Sequence, residues 1–456
     1  MSPFRDQANF PAYRPRRLRS KSTMRELVRE NNLLPSDFIW PIFVMDGNDT
    51  AFPIPTMPGV CRHTIDRLPK LAKQAKSIGI SSICIFPYTE TSLKTEDCRE
   101  AWAPNNLTNR AITKIKDAVP DILVMTDIAL DPYNINGQDG IVRDGEVVND
   151  ETVDALVKMG ASQVSAGADI LGPSDMMDGR IGALRTMLEQ NGHHNICILS
   201  YSAKYASNFY SPFRDAVGAS GALKGDKATY QIDTANSDEA LRMIARDIKE
   251  GADMIMVKPG MPYLDICFQA KEQFGIPTFA YQVSGEYAMI EAASKCGFLD
   301  GTKVMFESLI AFKRAGCDGI GAGQKRRQQA CEIVPIQMRM RQHPDEIQRI
   351  LGPQPSGKGF TVATCHDTGQ FLVACPSLDE IHEFLRGNGD FQRLVKQDFQ
   401  RGVMPGKRLG AVQSRALQPC GNEIGGVPGL NSQGIADLIA RTVLAQVQRV
   451  MHDFLG

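Results

Sequence analysis

The chain has 456 residues, 43% hydrophobic and 23% charged, with a formal net charge of -1, an ordinary globular composition. That balance argues against nucleic acid or an anionic membrane as an obligate partner, and no stretch reaches the roughly 18 to 20 unbroken apolar residues of a membrane span. The eleven cysteines form no CxxC pairs, which reads as reduced thiols in a cytoplasmic compartment. The basic start (Arg14, Arg16, Arg17, Arg19, Lys21) lacks the apolar segment of a signal peptide, whereas organellar import by a transit peptide stays open.

Residues 1–37 carry Pro11, Pro15 and a helical pattern near Met24 to Asn31. They read either as an arm contacting another subunit or as a frayed tail. From residue 38 one theme repeats: a short apolar, β-branched run, then an amphipathic stretch. The runs are Ile39 to Met45, Ser82 to Phe86, Ile122 to Leu130, Ala168 to Pro173, Ile196 to Ser202, Ala252 to Val257, Pro277 to Val283 and, more weakly, Cys317 to Ile320. Continuous runs of this length suit strands buried on both faces. Between them lie helical patterns such as Asp238 to Gly251, with Leu241, Ile244 and Ile248 on one face. Ser237 or Asn236 is placed to cap its start, and Gly251 sits where a left-handed stop belongs. Eight such alternations over residues 38–323 predict an α/β fold, a (β/α)8 TIM barrel. A doubly wound open sheet is the alternative, weakened because no GxGxxG turn opens a βαβ unit. Residues 324–456 read as a small α+β appendage of unknown role. Its linker is GPQPSGKG (352–359), its hairpin turns at His366-Asp367-Thr368-Gly369, and helices are predicted around 378–385 and 434–454.

Two lysines stand out. Lys204 follows the run ending Ser200-Tyr201-Ser202-Ala203, and Lys258 follows Met256-Val257. In a β/α barrel the carboxyl ends of the strands form the reactive face, so consecutive strands aim both amines at one cavity. Burial and mutual repulsion disfavour the ammonium form, and two neutral amines able to attack a ketone are expected. The bland reading is a pair of lysines snorkelling to solvent.

Several segments, SYSAKYASNFYSPFRDA (200–216), MVKPGMPYLDI (256–266), PSDMMDGR (173–180) and YQVSGEYAM (281–289), resemble the porphobilinogen synthase (5-aminolevulinate dehydratase) family over about residues 10 to 320. The resemblance implies a lyase that condenses two 5-aminolevulinate molecules into porphobilinogen, with loss of two waters, in tetrapyrrole and heme biosynthesis. It also implies a homo-octamer whose N-terminal arms wrap neighbouring subunits. Lys258 would form a Schiff base with the molecule that becomes the propionate side, and Lys204 one with the acetate-side molecule. Asp127 matches a catalytic aspartate. Arg214, Lys227 and Gln231 match the acetate-side binding set, and Ser284 matches a hydroxyl on the other carboxylate. By residue type alone, Arg214 could equally pair with Asp215, and Ser284 could cap a turn. Asp131, Asp139 and Ser174 are auxiliary candidates.

Zinc-dependent members of that family carry three cysteines where this chain has Ala129, Asp131 and Asp139. Thiolates are what hold Zn2+, so no catalytic zinc is expected. The two aspartates could instead hold a hard cation through water, orient the substrate amine or pair with a basic residue. Magnesium-activated members place a carboxylate fifteen residues before the second lysine. Here that position is Met243, which cannot bind magnesium, and the expectation is an enzyme without a metal cofactor. The pattern breaks at the eighth strand, where Gly323 replaces a substrate-binding tyrosine. Gly321 and Gly323 are expected to cost stability at the barrel closure. The alternatives are a catalytically impaired barrel serving as a structural or regulatory subunit, and another class I Schiff-base aldolase or lyase.

Overall fold

All eight apolar runs form strands in the computed structural model, which describes residues 10–217, 223 and 225–322 and the backbone of 361–364 and 371–374. The strands are β1 (Phe38–Met45), β2 (Ser82–Pro87), β3 (Leu123–Ile128), β4 (Ile170–Pro173), β5 (Cys197–Lys204), β6 (Met254–Lys258), β7 (Thr278–Gln282) and β8 (Gly319–Ala322). Each pairs in parallel with its chain neighbour, and β8 returns to β1 through Phe38↔Ile320 and Ile39↔Gly321. The sheet is a closed (β/α)8 barrel, and the open-sheet alternative is excluded.

Alternation along each strand feeds two separate cores. In β1, Ile39 and Phe43 point into the barrel with Cys84, Phe86, Met125, Leu199, Tyr201, Met256 and Tyr281. Phe38, Trp40, Ile42 and Val44 point outward into the layer filled by the surrounding helices. Both faces are buried, which is why the strands read as unbroken apolar runs rather than as alternating ones.

Glycine in β8 is a fit rather than a weakness, which corrects the expected cost at Gly321. A Cβ there would lie 2.9 Å from the Tyr281 ring, and one at Gly319 would lie 2.2 Å from the Phe279 ring. The rings of β7 take the space that side chains of β8 would need. Gly323 lies outside the described residues.

The helix Asp238–Glu250 ends at Gly251 with φ +109°, the left-handed stop. Its start differs from expectation. Ser237 is already helical (φ -101°, ψ -49°) and makes no side-chain cap bond, since a capping hydroxyl needs an extended backbone beneath it. The Asn236 amide instead donates to Glu239 at 2.6 Å.

Near the N-terminus, Pro15–Arg19 form a 3-10 turn and Ser22–Leu27 a helix, shorter than and shifted from the predicted 24–31. Phe10, Leu18 and Leu27 are exposed there. The chain divides into compact units Met1–Met338 and Arg339–Gly456. In the second unit, Thr361–Thr364 and Phe371–Ala374 pair antiparallel as the expected hairpin. The helices predicted around 378–385 and 434–454 lie outside the described residues. Among those described, no helix is long and apolar enough to cross a membrane.

Candidate active site

Lys204 and Lys258 are the last residues of β5 and β6, and they are register partners. A bulge makes this so. The register runs from 200 to 203 on β5 but only from 255 to 257 on β6, an inserted residue that shifts the side-chain phase of everything after it. Before the bulge, Leu199 and Tyr201 face the barrel interior. Strict alternation would turn residue 203 inward and residue 204 outward. Instead Ala203 packs in the outer layer, and Lys204 lines the cavity with Lys258. The cavity they line is narrow, about 30 Å3.

Lys258 sits in an aromatic cage. Its Nζ lies 4.6 Å from the Tyr281 ring centroid, 5.0 Å from Tyr201, 5.1 Å from Phe213 and 5.8 Å from Tyr210. Among the described residues it makes no ion pair. Burial, reinforced by the charge of Lys204, lowers its pKa to about 8, so roughly a tenth of it is neutral at pH 7. Its carbonyl is held from two sides, accepting from the Tyr205 amide at 3.0 Å and the Tyr210 hydroxyl at 2.9 Å.

Asp127, on β3, lines the same cavity. Burial raises its carboxyl to about 6 against the opposing pull of Lys258. The Ser174 hydroxyl hydrogen-bonds to it, while Oδ1 is buried without a partner. That oxygen can take up a proton near neutral pH.

Lys204 meets different neighbours. Its Nζ pairs with Asp139 Oδ2 at 3.1 Å and donates to the carbonyl of Ser174. Asp139 also binds Lys227 at 2.5 Å, and Gln231 donates to it at 3.4 Å. Burial would raise the Asp139 carboxyl, but the two ammonium groups outweigh it and hold it below the usual range. Asp131 lies 3.9 Å from Lys227, and burial raises its carboxyl despite that cation. Lys204 thus has a carboxylate partner in Asp139, whereas Lys258 faces aromatic rings.

The structure thus gathers Lys204, Lys258, Asp127, Asp131, Asp139, Ser174, Lys227 and Gln231 around one cavity. Ser284 opens the helix Ser284–Lys295 after β7, with its Oγ buried and without a hydrogen-bond partner among the described residues. It lies beside this set rather than among the cavity-lining residues. Arg214 belongs to the short helix Ser211–Ala216, and its side chain lies outside the described residues. Met243 packs against the outer core. Sequence reasoning missed the cage of Tyr201, Tyr210, Phe213 and Tyr281. Its signal was available in Tyr201, three residues before Lys204 on β5, and in Tyr281 on β7 beside the strand of Lys258, both on inward-facing positions.

The family model for delta-aminolevulinic acid dehydratase matches residues 12–322 of this chain. The chain belongs to that family. A dehydratase of this name from Rhodobacter capsulatus is 60% identical over 311 residues, covering 68% of this chain and 94% of the relative. A chloroplastic relative from Selaginella martensii is 46% identical over 67% of this chain and 74% of its own length. Among solved structures, delta-aminolevulinic acid dehydratase (porphobilinogen synthase) from Toxoplasma gondii ME49, in complex with the reaction product porphobilinogen, superposes with a TM-score of 0.70. It is 41% identical and covers 77% of this chain and 96% of that one. The dehydratase family therefore accounts for the barrel, while residues beyond 322 fall outside the family match.

Proposed function

We propose that this chain is a porphobilinogen synthase, a hydro-lyase that joins two 5-aminolevulinate molecules with loss of two waters. The observation that carries the reading is the pairing of Lys204 with Lys258 at the mouth of one barrel. The neutral fraction of Lys258 attacks the ketone of one substrate, and water leaves as the imine forms. The iminium withdraws electrons from the adjacent carbon, and the free oxygen of Asp127 takes the proton released there. Lys204 attacks the ketone of the second substrate, and water leaves as the second imine forms. Lys227, Gln231 and Arg214 receive the carboxylate of that second molecule, and Ser284 the carboxylate of the first. Asp131 and Ser174 orient the groups between them.

The donors fit this chemistry better than a metal. Asp139 is already shared by two ammonium groups at 2.5 and 3.1 Å, and among the described residues no thiolate stands beside it to hold zinc. The reading is therefore of an enzyme with no metal cofactor, in which lysine charges occupy the acidic positions. The chain works in the cytoplasm as a homo-oligomer, an octamer in the family's usual form. The exposed Phe10, Leu18 and Leu27 supply apolar surface for a neighbouring copy.

Purified protein incubated with 5-aminolevulinate should release porphobilinogen, measured colorimetrically, and light scattering should give the mass of the assembly. No pyrrole from folded protein at pH 8 would rule the activity out.

A further inference from the structure

Past the bulge, β5 and β6 share only two register pairs, Val257↔Ala203 and Lys258↔Lys204. That is a short ladder to hold the phase on which the site depends, because a slip of one residue would turn Lys204 away from the cavity. Ile232 also pairs with this end, donating to the Lys204 carbonyl at 3.0 Å. The next side-chain contact between the two strand ends lies on the far side of the sheet. Tyr205, the residue after Lys204, faces the outer layer and is fully buried. Its ring stacks on Tyr263, in the turn that follows Lys258, with centroids 3.8 Å apart and planes 8° from parallel. The Tyr205 hydroxyl donates to the Asn236 carbonyl at 2.9 Å, and its amide donates to the Lys258 carbonyl at 3.0 Å. Neither ring lines the cavity.

We infer that the Tyr205–Tyr263 stack is a positioning pair that fixes the bulged end of β5 in the phase pointing Lys204 at Lys258. It acts through the lysines and touches no substrate. Lys258 does not depend on it for direction, since no bulge interrupts β6 and Tyr210 also holds its carbonyl. The stack therefore governs the step that needs both lysines, and leaves the imine at Lys258 untouched.

The inference rests on the proposed condensation, and its test separates the two. Wild type, Tyr263→Ala and Tyr263→Phe are each incubated with 5-aminolevulinate, either for turnover or with borohydride to trap the Lys258 adduct. Tyr263 is only half-buried. Tyr263→Ala should trap to the wild-type extent while kcat falls about 10- to 100-fold, the scale of a reactant misplaced by an ångström. KM should stay within about threefold, as for an interaction used only beyond the ground state. Tyr263→Phe, which keeps the stack, should restore kcat. Wild-type kcat in Tyr263→Ala, an equal loss in Tyr263→Phe, or trapping that falls in step with turnover would each overturn the inference. If the alanine variant does not fold, Tyr263→Leu takes its place: it keeps apolar bulk without a ring to stack, and the same outcomes decide. A wild type that traps substrate but releases no pyrrole would instead sink the proposed function.

Discussion

At the end of β6, Lys258 faces four aromatic rings and has no carboxylate within ion-pair distance among the described residues. Directly across the register, at the end of β5, Lys204 faces Asp139 and the Ser174 carbonyl. The same side chain on adjacent strands thus meets opposite electrostatics. Position on the barrel decides where an amine points, and its neighbours decide whether it carries a proton. Burial leaves part of Lys258 neutral before substrate arrives, while Lys204 starts from an ion pair with Asp139.

The largest test of that contrast removes each amine in turn. Lys258→Ala should abolish both product and borohydride adduct. Lys204→Ala should abolish product yet still trap substrate at Lys258, as read by mass spectrometry of the digested protein. Equal trapping losses in the two variants would erase the distinction.

Asp127→Asn should lower kcat about 10²- to 10⁴-fold, the usual worth of a positioned acid or base, while raising stability at pH 8. The sign follows from the carboxyl being raised to about 6 in the fold. Stability linked to that group is complete below pH ~4 and is lost as pH rises through about 6. Asparagine escapes that loss, a gain of roughly 2–3 kcal/mol. Thermal melts at pH 8 and pH 4 should therefore differ between variant and wild type only at the higher pH.

Asp139→Asn should act on the other half of the site. It removes the carboxylate that Lys204 and Lys227 share, at a cost of about 3–5 kcal/mol to stability, measurable by denaturant titration. Restoration of stability by a second change, Lys227→Met, would locate the cost in the excess positive charge. The smallest expected effect is none: dialysis against EDTA should leave activity intact, and a loss reversed by Zn2+ or Mg2+ would show that the acidic residues serve a metal after all.

Much of the fold was legible because two-sided burial leaves a strong trace. Each strand is a continuous apolar run, and even the weak run at Cys317 to Ile320 marked β8, with its bounds shifted to Gly319–Ala322. The reactive lysines were legible because each follows such a run directly. The bulge was not, since Ser200-Tyr201-Ser202-Ala203 contains no glycine or proline to flag an inserted residue. The partner of Lys204 was also hidden: Asp139 lies 65 residues away along the chain and meets it only when the loop after β3 folds over the cavity. Sequence could bring two amines to one mouth, but it could not say which would meet a carboxylate. Ser237 failed as a cap for a similar reason, since its residue type fitted while its backbone was already helical.

The asymmetry between the lysines can be measured in one experiment. Enzyme at pH 7 is mixed with less than one equivalent of 5-aminolevulinate, reduced at once with borohydride, digested, and mapped for the modified lysine. Because burial and the neighbouring charge bring Lys258 to about 8 while Lys204 stays paired with Asp139, the adduct should fall on Lys258, and its yield should climb as pH rises from 7 toward 9. An adduct chiefly on Lys204, or a yield flat across that range, would contradict the account.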